Sequence, residues 1–380
     1  MTRWEKLRNC LPWLPAYITQ RLFRRLPRVR PVHLILALAD HFEPSIVPEM
    51  PETYADRGTQ MQRLERWCVE YPKLADACRD NEGWPFRHTY FYPVEQYDAE
   101  LIHRLIEHSQ AGWGEIEMQL HHGVGVPDTS ENTRNVLLSS RDLLVRHGCL
   151  SQLDGVGPPR YAFVHGNSAL ANSDSNRFCG VDDEMQILSE TGCYADFTLP
   201  SAPGSSQVRK INALYECALP LEQRAPHRRG RDLRRGRPAR TFPLIVQGPL
   251  MLDFGRRKNG LLLPGIENAE LAANRPPQMT RFHHWRRAAI TVQGRPDWVF
   301  IKLHCHGMDP RDEEVMLGSP MREFLRQLLR GSQESGEYRV YFTTAREMVN
   351  MMLAACDNCN GNPGDSRDYR LRLITPGRRA

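Results

Sequence analysis

The chain has 380 residues, 41% of them hydrophobic and 25% charged, with a formal net charge of +5 and a mean hydropathy of -0.54. That length suits one large α/β domain or two medium ones, and either buries a sizeable core. The lack of any uninterrupted 18-residue apolar run argues against a membrane-spanning helix, and ten irregularly spaced cysteines do not read as a disulfide framework.

Residues 1–30 mix Trp4, Leu7, Leu11, Trp13 and Leu14 with Arg3, Lys6 and Arg8, followed by Arg21, Arg24 and Arg25. Pro12 and Pro15 break any long helix. Two readings compete for this basic helical segment: a cap packed on the domain, and an element lying on a membrane surface. It has no clean apolar stretch followed by a small-residue cleavage site, so no secretory signal is expected. The expected location is cytoplasmic, with peripheral contact to the inner membrane as the variant of that reading.

Strand-like and helical patterns then alternate. VHLILALA (32–39) reads as a strand, 54–80 as a helix, RHTYFYP (87–93) as a strand and 99–109 as a helix. EIEMQL (115–120) alternates polar and apolar residues, as a strand with one buried face does. A helix over 129–148 has Thr129 or Ser130 as cap and Gly148 at its end. Strand 160–167, helix 182–192, closed by Gly192, and strand 193–200 follow. Strand-like runs at 242–252 and 296–304, a helix over 313–331, and a strand running into a helix over 337–347 complete the pattern. Strands separated by helices predict βα units around a parallel sheet, and their number favours barrel closure. Residues 31–355 form one domain in this reading, and 356–380 a C-terminal tail. Residues 222–240 hold eight arginines and two acids, and read as a solvated insertion or a contact for a polyanion. Cys356 and Cys359 make one CxxC, which has no second pair to complete a zinc site.

In a βα barrel the functional groups come from the C-terminal ends of the strands. The residues there are Asp40-His41-Phe42-Glu43, His121-His122, His165-Gly166-Asn167, Asp196 and His304-Cys305-His306. Asp253 also lies near a predicted strand end, where a turn role is favoured. Each residue alone has an ordinary structural explanation. Together, six of the chain's 14 histidines fall at predicted strand ends, which points to one shared rim. Imidazoles and carboxylates suit a divalent metal, zinc first and iron, nickel or cobalt after it.

The stretches LADHFEP, HTYFYP, QLHHG, FVHGNSAL, TGCYADFTLPSAP and KLHCHG resemble the polysaccharide deacetylase family (the NodB-homology group of the glycoside hydrolase/deacetylase superfamily), and more closely WalW-type proteins. The likeness spans roughly residues 30 to 355 and implies α/β architecture as a distorted (β/α)7 barrel-like single domain. Carried over residue by residue, Asp40 matches the general base and His41 a metal ligand. The family's second motif has two ligand histidines four apart, whereas His121 and His122 are adjacent here and Gly125 and Val126 follow. Where the family has an Arg-x-Pro-Tyr segment this chain has His165-Gly166-Asn167. His304 and His306 are both matches for the general acid of the Leu-x-His motif. The resemblance thus implies catalytic Asp40, His304 and His306, metal ligands His41, His121 and His122, and substrate contacts from His165, Asn167 and Asp196.

The leading expectation is a metal-dependent hydrolase of acylated carbohydrate or glycoconjugate in surface-polysaccharide metabolism. The alternative is a non-catalytic carbohydrate-binding or accessory protein of an envelope-polysaccharide pathway. A glycoside-bond enzyme needs two flanking carboxylates, for which Asp40, Glu43 and Asp196 are the options. Nucleic acid is not expected as a partner: no recognition module is present, and no aromatic residue interleaves the arginine run.

Overall fold

The computed structural model describes residues 2–24, 29–48, 50, 53–255, 257–258, 261–262 and 265–374. The predicted apolar run becomes β1 (Val32–His41), the centre of the main sheet. Leu34, Leu36 and Leu38 enter one core, and Ile35, Ala37 and Ala39 enter another on the opposite face. A strand buried on both faces has to be apolar throughout, which is why no alternation shows in its sequence.

The remaining parallel strands are β2 (His88–Pro93), β3 (Gly114–Leu120), β4 (Val156–His165), β5 (Cys193–Asp196), β6 (Leu244–Val246), β7 (Trp298–Cys305) and β8 (Tyr338–Thr343). β7 runs along one edge of β1, from the His33–Trp298 pair to the Asp40–Cys305 pair. The other edge is divided: β8 pairs with Val32–Ala37, and β2 takes over from Leu38 to His41. From β2 the order continues through β3, β4, β5 and β6, all parallel. Leu214–Cys217 and then Gly230–Asp232 extend that side antiparallel, and Glu270–Leu271 extends the other side beside β7. Among the described residues no pairing joins these two ends. The result is a curled, half-barrel mixed sheet in an α/β fold; the expected seven-unit closure is not formed by these strand pairs.

Helices α1 (Arg3–Cys10) and α2 (Leu14–Phe23) come before the sheet. Within it lie α3 (Arg57–Asp76), α4 (Ala99–His108), α5 (Ser130–Arg146), α6 (Glu184–Thr191), α7 (Met279–Arg287), α8 (Glu313–Leu317), α9 (Ser319–Ser335) and α10 (Ala345–Cys356). Asp56, Asp98 and Thr129 cap α3, α4 and α5 by accepting backbone N–H bonds of the first turn. The outer core joins α3, α4 and α9 to the sheet through Trp67, Tyr71, Leu105 and Leu325.

α10 differs from these helices, because every one of its residues is buried. Met348, Met351 and Met352 pack with Ile35, Ala37, Phe300 and Tyr341, so the helix fills the inner face of the curl. Its first turn is pinned by charge. Arg346 pairs with Glu115 at 2.7 Å, and Glu347 accepts from Arg87 at 2.5 Å and Arg367 at 3.0 Å.

Three segments are tied down more firmly than composition suggested. The arginine-rich stretch supplies strand Gly230–Asp232, and Arg224 and Arg228 donate to the carbonyls of Asn172 and Ser173. The expected solvated insertion is thus bound to the body. Residues 356–374 are packed as well: Arg367 reaches Asp80 at 3.1 Å, and Leu371–Leu373 pairs with Ser151–Leu153. The rest of the predicted tail, 375–380, lies outside the described residues. The N-terminal helices and the turn between them seat Trp13 and Tyr17 in the inner core but leave Trp4, Leu7, Leu11, Leu22 and Phe23 exposed. Among the described residues no helix is long and apolar enough to cross a membrane.

Burial acts to raise the Glu347 carboxyl, but the charges of Arg87, Arg367 and Arg346 outweigh it and bring it to about 2. A carboxylate lowered on folding contributes stability above its unfolded value, and that contribution is lost as pH falls through the folded value. Denaturant unfolding followed from pH 6 down to about pH 2 is expected to show this loss, beginning near pH 4.5. Glu347→Gln is expected to destabilise the chain by about 3–5 kcal/mol at neutral pH, because it strands buried arginines, and to flatten that part of the pH curve.

Candidate functional site

Because β1 to β7 run parallel in the curl, their C-terminal ends, and the polar residues expected to share a rim, come to one end of the sheet. Adjacent residues of a strand point to opposite faces, so each adjacent polar pair is divided. His41 and His121 face inward with Ala39 and Gln119. Asp40 and His122 meet partners on the outer, helix-covered side. The two imidazoles of QLHHG therefore serve different clusters.

The inner cluster is built from β1, β3 and β7. His41, Glu43 and His306 offer ligand atoms all within 4.8 Å of one another. The His41 and His306 rings lie 4.9 Å apart, and those of His41 and His304 6.3 Å apart. The Nδ1 atoms of His41 and His304 are buried and have no hydrogen-bond partner. His121 sits behind Glu43, with Nε2 3.4 Å from Glu43 Oε1 and Nδ1 2.7 Å from Glu95 Oε1. Gln119 Nε2 donates to the same Glu43 oxygen at 2.5 Å. Gly166 makes room for the His121 ring, since a Cβ there would lie 2.3 Å from it.

This arrangement sets the charges. Burial acts to raise Glu43, but the His121 hydrogen bond and the surrounding imidazoles bring it down to about 2. Burial acts to lower His121, but Glu43 and Glu95 carry it up to about 10. Burial, then the neighbouring His306, holds His41 well below the usual imidazole range; burial and then Lys302 do the same to His304. Glu43 is thus an anion among imidazoles with free lone pairs, a donor set suited to a divalent cation. Deeper in the curl, burial lowers Lys302 to about 7 and raises Asp196 to about 7. Lys302 donates to the carbonyl of Phe197 at 2.6 Å, and Asp196 accepts from Thr198 at 2.7 Å.

Two further clusters lie on the outer face. Asp40 is fully buried; its carboxylate meets His88 Nδ1 at 2.9 Å and accepts the Gly307 N–H at 2.7 Å. Gly307 has to be glycine here, because a Cβ would lie 2.3 Å from Asp40 and 2.9 Å from Trp67. Cys305 completes that group. The other cluster joins His122, His165, Cys179 and Glu184.

The residues expected to act together are therefore regrouped. The expected ligands His41, His121 and His122 do not meet as one set: His41 joins Glu43 and His306, His121 supports Glu43, and His122 faces away. Of the expected catalytic residues, His304 and His306 lie beside His41, whereas Asp40 is sealed behind the sheet. Of the expected substrate contacts, His165 and Asp196 are fully buried, and Asn167 is partly exposed in a groove with Arg177, Phe178 and Ser201. Asp253 accepts the Gly255 N–H at 2.8 Å, as a turn residue does. The CxxC pair joins no metal-capable group among the described residues. Glu95, Cys179 and Glu184 were missed because they come from a one-turn 3₁₀ helix after β2, a loop and a helix start. The only signal was that Cys179 and Glu184 flank a glycine turn just after the FVHGN stretch.

No family model matches the sequence, and no curated protein matches it significantly. The chain is similar in structure to a "putative polysaccharide deacetylase" from Mycobacterium smegmatis, at 14% identity and a TM-score of 0.42, over 87% of this chain and 95% of that one.

Asp40→Ala would strand the Gly307 N–H and the His88 ring. It is expected to cost about 2–4 kcal/mol of unfolding free energy. A folded variant with wild-type stability and a selective loss of turnover would instead make Asp40 a reacting group.

Proposed function

We propose that the chain is a metal-dependent hydrolase acting on acylated carbohydrate, with the inner rim as its active site. The carrying observation is the meeting of His41, Glu43 and His306 at parallel strand ends, with buried unpartnered nitrogens on His41 and beside it on His304. These residues fit a divalent metal, zinc first: His41, Glu43 and His306 would hold it. Such an ion would polarise an acyl carbonyl and lower the pKa of a bound water.

The chain's own residues supply the rest. His121 and Gln119 fix the orientation of Glu43 by hydrogen bonding to it. His304, kept neutral by burial and by Lys302, is placed to take or return a proton at Nδ1. Asn167, Arg177 and Phe178 line a polar groove with an aromatic wall, a surface suited to a sugar. The motif likeness to deacetylases supports acyl transfer to water, and its WalW-type form supports a surface polysaccharide as substrate. A cytoplasmic location, with the exposed apolar side chains of α1 and α2 resting on the inner membrane, belongs to the same reading.

Metal content of the untagged protein by mass spectrometry, beside hydrolysis of acetylated sugar oligomers, tests this. Wild type is expected to retain metal and release acetate. His41→Ala and His306→Ala are expected to lose that metal, and His304→Ala to keep it while turnover falls by about 10²-fold or more. Sugar binding with no hydrolysis, and with no metal that His41→Ala or His306→Ala removes, would favour the carbohydrate-binding alternative.

A further inference from the structure

We propose a second, closed metal centre on the outer face of the sheet, formed by His122, His165, Cys179 and Glu184 and binding a zinc-class transition ion. All four side chains are buried, and their ligand atoms lie within 4.8 Å of one another. His122 Nε2 is 3.0 Å from Glu184 Oε1, His165 Nε2 is 3.9 Å from the same oxygen, and Cys179 Sγ is 3.6 Å from Glu184 Oε2. A tetrahedral shell with metal–ligand bonds of ~2.0–2.3 Å spaces its ligands by roughly 3.3–3.8 Å, so small side-chain shifts suffice.

Three observations point to an ion. His165 is fully buried, yet neither ring nitrogen has a hydrogen-bond partner. Such a group is costly to bury unless something takes its lone pair. The His122 Nδ1 lies 3.0 Å from Asp128 Oδ2. With the Nδ1 proton donated to Asp128, the Nε2 lone pair, on the Glu184 side of the ring, is left to bind an ion, the carboxylate–histidine–metal pattern. The backbone is also shaped for the cluster. Gly123 has φ +65°, and a Cβ on it would lie 2.1 Å from the Cys179 carbonyl; one on Gly180 would lie 2.5 Å from Pro127. The Asp128 N–H donates to that Cys179 carbonyl at 2.8 Å.

Two imidazoles, a thiolate and a carboxylate form a zinc-type donor set. With four protein ligands and no open position, the centre is structural. It ties the loops after β3 and β4 to the start of α6, directly behind His121 and Gly166.

The test is cobalt substitution of the full, untagged chain, read as thiolate-to-cobalt charge transfer in the absorption spectrum. Folded wild type loaded with cobalt is expected to show that band. Cys179→Ser is expected to lose it together with one equivalent of metal, while His41→Ala and Cys305→Ser keep it. No band in the loaded wild type, or a band persisting in Cys179→Ser, overturns the proposal. Should Cys179→Ser fail to fold, Cys305→Ser decides: a retained band supports the centre and a lost band overturns it. The readout is independent of hydrolysis, so this centre and the inner-rim reading stand or fall separately.

Discussion

The alternation of side chains along β1 and β3 is the constraint on which the rest depends. Beyond His33 both strands are buried on both faces, so neither can turn a polar residue to water there. Each residue must find a partner on the face that its parity assigns. Asp40 and His41, adjacent in sequence, end about as far apart chemically as neighbours can. One closes a buried bond to the loop after β7, and the other stands among imidazoles at the rim. His121 and His122 are divided in the same way. A one-residue slip of either strand would exchange these roles and place apolar residues where the ion pairs are.

The polar row of β3 shows how the interior was made to accept charge. Glu115, Glu117, Gln119 and His121 all face inward. Glu115 meets Arg346 of α10, Glu117 accepts from Tyr194 and the Ala162 N–H, and Gln119 and His121 meet Glu43. This row changes in function along its length. At the base it is structural, holding a fully buried helix in the curl. At the top it positions the carboxylate of the candidate active site. Burying charge is expensive, and the expense is tolerable because each group has a partner.

The loops complete the arrangement by close approach of backbone. Gly123, Gly166 and Gly307 each lie where a Cβ would collide with a neighbouring segment or ring. Each follows a polar strand end, so the tight turns and the functional side chains are parts of one construction. Gly307 brings the β7 loop onto Asp40, Gly166 admits His121, and Gly123 admits Cys179.

The sequence by itself determined the alternation of strands and helices, because hydrophobic periodicity is local. Nearly every predicted element is present, but the polar strand ends are divided between the inner rim and two clusters on the outer face. It missed the antiparallel extension at Leu214–Cys217 and Gly230–Asp232, whose short strands carry too few residues to show a period. It also read β3 as half exposed, since a polar row lining an interior has the same spacing as one facing solvent. Only the tertiary structure decided which polar residues share a site. Parity sends adjacent residues to opposite faces, and curl, loop closure and α10 bring Glu43, Glu95, Cys179 and Glu184 to partners far away along the chain. No local pattern carries that information, because it depends on how strands lie beside one another.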